Sequence, residues 1–296
     1  MKIFISPTRV VLGLLTTAVL LTAGGTSAFG NDRADKSQYT LFNPTPRDQM
    51  REMSTDRPDL TESPYTVDAG HFQIEMDVVN YSHDRRNPDR APVTVESVSF
   101  AAVNLKLGLC DRVDLQVLLE PYSRVRIHDR ATGMVERHRG FGDITTRLKV
   151  NFWGNDGGKT ALGMMPFVKL PSNQDGLGNN AMEGGIIFPF AAELPAGWGM
   201  GAMTEVDFLE DGDGRGHHAE FVNTITFGHD IVGDLAGYVE FFSAVSTERG
   251  SPWVGSVNFG FTYGLTDDIQ LDTGLNIGVT RSADDLNPFL GISWRY

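Results

Sequence analysis

Charged side chains alternate with apolar ones through most of this sequence. The charged residues are the candidates for binding ions or for catalysis. Between His71 and Val78, for example, Glu75 and Asp77 alternate with Ile74 and Met76. Acidic and basic groups that share one face suit ion pairing and the selection of ions by an electric field. The charged residues predicted to share that face are Glu75, Asp77, Lys106, Arg112, Asp114, Glu120, Arg147, Lys149, Glu205, Asp207, Glu220, Glu240, Asp272 and Arg295.

Catalytic and metal-binding patterns are weak by comparison. His217 and His218 lie at the edge of a polar stretch, with no serine beside them to act as a nucleophile. The run Asp211-Gly212-Asp213-Gly214 is faintly similar to a calcium loop, but Arg215 stands at a ligand position and no glutamate closes the loop. We interpret this stretch as a solvated loop. The sequence predicts no enzyme activity, no metal and no cofactor.

The charged residues are predicted to lie on β-strands. Apolar residues recur with a period of two, as in 144–152 and 269–279, and this period is typical of strands with two different faces. About twelve strands are predicted, and ten or fourteen are alternatives. The predicted strands are 70–82, 93–109, 111–126, 141–153, 159–169, 182–194, 198–209, 217–228, 231–246, 253–264, 267–280 and 287–296.

The connections between these strands alternate in length. Short turns such as 110–111 and 265–267 alternate with longer polar loops such as 127–140 and 170–181. Membrane barrels have short periplasmic turns and longer external loops. We therefore predict an all-β fold, a transmembrane antiparallel up-and-down β-barrel over residues 70–296, with both termini in the periplasm.

The last strand ends in Trp294, Arg295 and Tyr296. In it Leu290 and Ile292 share one face with the two aromatic residues, and the strand is predicted to pair with the strand that follows His71 and so close the barrel. A soluble β-sandwich is the alternative. Charged residues facing a packed core would cost several kcal/mol each unless paired, whereas a barrel lumen contains water.

The N-terminus has the pattern of a secretory signal peptide, predicted at residues 1–28. Lys2 and Arg9 flank an apolar run that ends at Leu21, and small residues up to Ala28 follow. Cleavage would take the formal charge from -13 to -15, because Lys2 and Arg9 are the only charged residues removed. An acidic exported chain is not expected to bind nucleic acid. The single cysteine, Cys110, excludes an intramolecular disulfide.

Residues 29–69 form a polar segment ahead of the barrel. Its most distinctive part runs from Thr55 to Pro64 and is stiffened by two prolines. We consider two arrangements: the segment folds into the barrel mouth and pairs with wall charges, or it lies on the periplasmic rim. In the first arrangement the residues of a lumen plug are Asp56, Arg57, Asp59 and Glu62.

This opening motif resembles the start of the bacterial outer-membrane transporter-like family named for a meta-pathway of phenol degradation. Weaker similarity extends through Gly140-Phe141-Gly142-Asp143 and Tyr263-Gly264 to the closing Phe289-Leu290-Gly291, so that it covers 55–296. The resemblance implies a barrel in the outer membrane that passes small solutes, aromatic or other organic compounds among them. It also implies contact with outer-membrane lipid and recognition of the last strand by the barrel-assembly machinery.

Two functions follow as hypotheses. The first is a passive channel for small solutes, in which the excess of carboxylates favours cations and neutral molecules. In the second, the charges form a ladder of ion pairs that fills a narrow lumen, and the closed barrel has a structural or surface-binding role.

Overall fold

Alternating polar and apolar residues form fourteen β-strands in the structure, a computed structural model that describes residues 35–88 and 90–296. Two short 3-10 turns, Arg47–Gln49 and Pro195–Gly197, lie outside the strands. The predicted signal peptide lies outside the described residues. The strands are β1 (Phe72–Asp84), β2 (Val93–Cys110), β3 (Val113–Leu119), β4 (Tyr122–Asp129), β5 (Val135–Gly140), β6 (Ile144–Trp153), β7 (Thr160–Leu170), β8 (Glu183–Glu193), β9 (Trp198–Glu210), β10 (His217–Val232), β11 (Leu235–Ser246), β12 (Val254–Thr266), β13 (Ile269–Gly278) and β14 (Asn287–Arg295).

The strands close into an antiparallel ring. β1 pairs with β2 on one side and with β14 on the other, in a register that places Gln73 opposite Arg295. The backbone N–H of Tyr296 donates a hydrogen bond of 2.7 Å to the carbonyl of Phe72. Closure leaves no open sheet edge in this part of the wall, as a structure surrounded by lipid requires. The predicted transmembrane β-barrel, closed by the last strand, is confirmed.

Two passes of the barrel wall are interrupted. β3 and β4 both pair with β2 and together make one pass, while β5 and β6 make the next, so fourteen strands give twelve passes. Pro121, which has no N–H to donate, lies in the first interruption, and residues 141–143 form the second. Ala101 adopts φ 56° at the same level of β2. The continuous strand predicted for 111–126 was therefore wrong.

The connections alternate in length as the sequence predicted. The short turns 111–112, 154–159, 194–197, 233–234 and 267–268 lie at one end, and the loops 85–92, 171–182, 211–216, 247–253 and 279–286 at the other. We take the end with the short turns as periplasmic. The predicted external loop 127–140 is instead mostly the hairpin of β4 and β5. Among residues 35–88 and 90–296, no helix is long and apolar enough to span a membrane.

The two faces of the wall are reversed relative to a soluble protein. Large apolar side chains, including Phe152, Phe208 and Phe261, are exposed on the outside, whereas Lys149 and Gln116 are fully buried inside. A soluble sandwich would bury the apolar side chains and expose the charged and polar ones. This distribution matches a barrel with an apolar outer band and a polar interior.

Candidate functional site

Residues 55–66, which we call the lumen segment, cross the interior of the ring. The backbone N–H of Leu60 donates a hydrogen bond of 3.0 Å to the carboxylate of Glu240 in β11. Further along the segment, the carbonyl of Pro64 accepts one of 2.9 Å from the side chain of Asn151 in β6. Since β6 and β11 are separated in the ring by four other strands, the segment lies between opposite parts of the wall.

Asp56 is the centre of the most deeply buried group of charges. Its carboxylate oxygens lie 2.5 Å from the Nζ atom of Lys106 and 2.6 Å from that of Lys149. Lys106 also pairs with Glu75, and the backbone N–H of Ser63 donates to Asp56. All four charged side chains are at most 5% exposed. Each charge therefore depends on its partners, because an unpaired charge in such a place is strongly unfavourable.

Arg57 makes the second connection to the wall. Its guanidinium lies 2.7 Å from the carboxylates of both Asp77 and Asp272, and it stands 5.5 Å from the ring centroid of Phe289. The close approach requires a glycine at position 291, where a Cβ atom would lie 2.1 Å from an Nη atom of Arg57. The carboxylates of Asp77 in β1 and Asp272 in β13 thus bind one guanidinium from both sides of β14, where the barrel closes.

Thr61 and Glu62 hold the segment on the remaining sides. The hydroxyl of Thr61 donates to Glu240 at 2.6 Å and lies 2.6 Å from the hydroxyl of Thr224 in β10. The carboxylate of Glu62 forms an ion pair with Arg147 in β6. These contacts distribute the anchoring over much of the ring, so no single pair fixes the segment.

The lumen segment separates two cavities. The external cavity has a volume of about 270 Å³ and is lined by Asp56, Arg57 and Glu62 together with charged wall residues and Leu177 of an external loop. A cavity on the periplasmic side has a volume of about 440 Å³ and is lined by residues 58–59 and 61–65, glycines of the wall and Tyr238. Glu62 borders both cavities, and Asp59 borders the periplasmic one.

The inner wall also carries an apolar patch, and it includes Phe242, which the period of two places on the inward face. It is built from inward-facing residues of five neighbouring strands, β7 to β11, and Phe167 packs against it. The patch consists of Met165, Ile187, Met203, Val222, Phe242 and Ala244. The lumen is therefore charged on one side and apolar on the other.

Most residues predicted to face the lumen lie close to the segment, and others do not. Those in contact with the segment or with Val67, which follows it, are Glu75, Asp77, Lys106, Asp114, Arg147, Lys149, Glu240 and Asp272. Three further acidic residues, Glu205, Asp207 and Glu220, lie on β9 and β10.

One predicted position needs correction. Arg112 occupies the turn after β2, and its side chain is 64% exposed, because β3 begins only at Val113. Glu120 lies between β3 and β4, outside both strands, and lines the external cavity. Arg295 stands at the periplasmic end of β14, where it pairs with Asp268 at 2.8 Å.

Arg51 organises a second ionic group that sequence reasoning missed. It pairs with Asp68 at 3.3 Å, with Asp156 at 2.9 Å and with Asp111. Lys36 pairs with Asp156 at 2.9 Å. We call these five residues the periplasmic latch, because they tie the chain ahead of the lumen segment to two periplasmic turns. Burial raises the pKa of Asp156, but Lys36 and Arg51 lower it to a net value below the usual range, so this carboxylate is charged at neutral pH.

Replacing Arg51 with alanine is expected to release the residues ahead of the lumen segment. The loss of several charge-assisted hydrogen bonds should lower the free energy of local opening by about 1–3 kcal/mol. Trypsin should then cleave the folded barrel after Arg47 roughly 5–100 times faster, provided that opening is fast relative to cleavage. The control is Arg215→Ala, which removes an exposed arginine from an external loop. Equal cleavage rates in the two variants would contradict the role of the latch.

Comparison with solved structures identifies the fold. The COG4313 outer membrane channel from Pseudomonas putida F1 superimposes with a TM-score of 0.61 and 14% sequence identity, covering 82% of this chain and 100% of that one. The NanC porin gives a TM-score of 0.49 with 10% identity over 74% of this chain and 98% of that one. The CymD monoaromatic hydrocarbon channel gives 0.40 with 9% identity over 76% and 87%. The first similarity places this chain in the fold class of outer-membrane barrels.

Comparison with known sequences identifies the family. No curated protein matches the chain significantly. A family model with the description "Putative MetA-pathway of phenol degradation" matches residues 55–296, which span the lumen segment and the whole barrel. The chain belongs to this family, as the motif that begins at Thr55 predicted.

Proposed function

We propose that this protein is an outer-membrane channel through which small solutes, aromatic compounds among them, diffuse passively past the lumen segment. The observation that carries the proposal is the pair of cavities on opposite sides of that segment, which share Glu62. A solute that passes from the external cavity to the periplasmic one would pass this segment at Glu62. The role proposed is transport without catalysis.

The linings of the two cavities support a solute with both polar and apolar parts. The external cavity is lined by Asp77, Arg147 and Glu62, whose side chains offer hydrogen bonds and ion pairs. The periplasmic cavity is lined by Tyr238, whose ring offers dispersion contacts to an aromatic solute. A phenol or a small aromatic cation has both features, whereas a sugar has many hydroxyls and little apolar surface.

The outer face supports the remaining partners. Exposed large apolar side chains on ten of the fourteen strands suit contact with the lipid of the outer membrane. The last strand keeps Leu290 exposed on that face, and Tyr296 is the last residue to pair with β1. We propose that the barrel-assembly machinery recognises this strand before it pairs with β1.

Solute entry into proteoliposomes tests the proposal. Protein refolded into vesicles should admit benzyltrimethylammonium, a small aromatic cation with no neutral form that could cross lipid, faster than it admits maltose, and it should give discrete single-channel currents in planar bilayers. Empty vesicles are the control. A correctly folded barrel that passes neither ions nor either solute would favour the alternative, a closed barrel with a structural or surface-binding role.

A further inference from the structure

A group of potential metal ligands lies at the external end of the barrel, away from the lumen segment. Asp211 follows β9, His218 belongs to β10, and Glu248 follows β11. One ligand atom from each lies within 4.8 Å of the other two. The sequence pattern suggested only Asp211, Asp213 and the two histidines, whereas the fold adds a carboxylate from the next external loop.

Local structure fixes each of the three side chains. The buried His218 places its Nδ1 atom 2.9 Å from a carboxylate oxygen of Asp211. A Cβ atom at position 216 would lie 2.4 Å from the other oxygen of Asp211, so this position requires a glycine. The backbone N–H of Gly212 donates a hydrogen bond of 2.7 Å to an Oε atom of Glu248. The two loops are therefore already in contact.

The donor atoms match a divalent first-row metal ion. In zinc sites the metal lies about 2.0–2.2 Å from nitrogen and oxygen ligands, so two ligands of one tetrahedral zinc lie about 3.3 Å apart. The 2.9 Å distance between the Nδ1 atom of His218 and the carboxylate oxygen of Asp211 needs only a small increase to reach that value. An imidazole donor favours zinc over calcium or magnesium, and two carboxylates balance its charge.

We propose that Asp211, His218 and Glu248 bind one Zn²⁺ ion, with water completing the coordination. The ion joins the loop 211–216 to the loop 247–253 and so fixes two neighbouring loops at the external mouth. The site is independent of solute passage, because none of its three ligands lines either cavity beside the lumen segment.

Zinc titration of the refolded full barrel tests the proposal. After treatment with a chelator, isothermal titration with ZnCl₂ should show one ion bound per chain. His218→Gln and Glu248→Gln should each weaken binding by at least about tenfold, since even the loss of a residue behind a ligand costs about 10–100-fold. The matched control is His217→Gln, which removes the adjacent, exposed histidine and should leave the affinity nearly unchanged.

The folded state of each variant is checked by comparing the migration of unheated and heated samples in gels, which differs for a folded barrel. Loss of binding is then not confused with unfolding. X-ray absorption at the zinc edge should show one imidazole among oxygen ligands. Binding that is absent from the wild type, or that is lost equally in His217→Gln and His218→Gln, would overturn the proposal.

Discussion

Asp56→Ala is expected to lower the free energy of unfolding of the barrel by about 3–5 kcal/mol, the range for removing one partner from a buried ion pair. The variant leaves Lys106 with Glu75 alone and takes from Lys149 a carboxylate 2.6 Å away. Urea titration in detergent micelles, followed by heat-modified migration in gels, measures the loss.

The control for this prediction is Asp48→Ala, which removes an exposed carboxylate from the periplasmic turn Arg47–Gln49 and should change the unfolding free energy little. A second variant, Asp56→Ala with Lys149→Met, should recover part of the lost stability because it removes the unpaired cation. Similar stability of Asp56→Ala and Asp48→Ala would contradict the buried ionic centre.

Replacing residues 56–64 by a glycine and serine sequence of equal length is expected to raise the single-channel conductance several-fold. The replacement removes the anchors at Asp56, Arg57 and Glu62, while the pairing of every wall strand is kept. The segment would then leave the centre of the ring, and ions could pass through a wider lumen. Recording in planar bilayers measures the effect.

A glycine and serine replacement of Arg47–Gln49 is the matched control, since this turn lies outside the lumen and its change should leave conductance unaltered. An unchanged conductance in a folded barrel that lacks 56–64 would show that the segment does not limit the pore. That outcome would leave the barrel fold intact but would remove the basis for the proposed passage of solutes past the lumen segment.

The barrel itself could be predicted from the sequence because its signal is repeated. Most passes alternate apolar and polar residues, and the lengths of the turns give an independent signal. An error in one strand therefore did not change the predicted fold. The interruptions could not be predicted in this way. Pro121 lies within a run that still alternates, and only the pairing of β3 and β4 with the same neighbour, β2, reveals the break.

The candidate site was predictable in its residue types but not in its contacts. A period of two identifies which side chains share a face. Ion pairs between residues far apart in the sequence, such as Arg57 and Asp272, depend instead on the path of the segment through the ring. Arg51 gave no signal because it stands alone in an irregular stretch. The period of two places Phe167 and Phe242 on inward faces, but the apolar patch that they join depends on which strands lie side by side in the ring.

The interruption of the wall limits how far the hydrocarbon layer of the membrane extends along the barrel. On its external side, β4 pairs with β2 and with β5. Among the described residues, the second edge of β5 pairs with no other strand. Side chains of a loop cover part of this edge, as when Asp175 accepts a hydrogen bond from the backbone of Arg139. Backbone groups that lack strand partners are not tolerated in hydrocarbon. On this side of the protein the hydrocarbon layer must therefore end below β5, and the hairpin of β4 and β5 stands in the headgroups or the water above them.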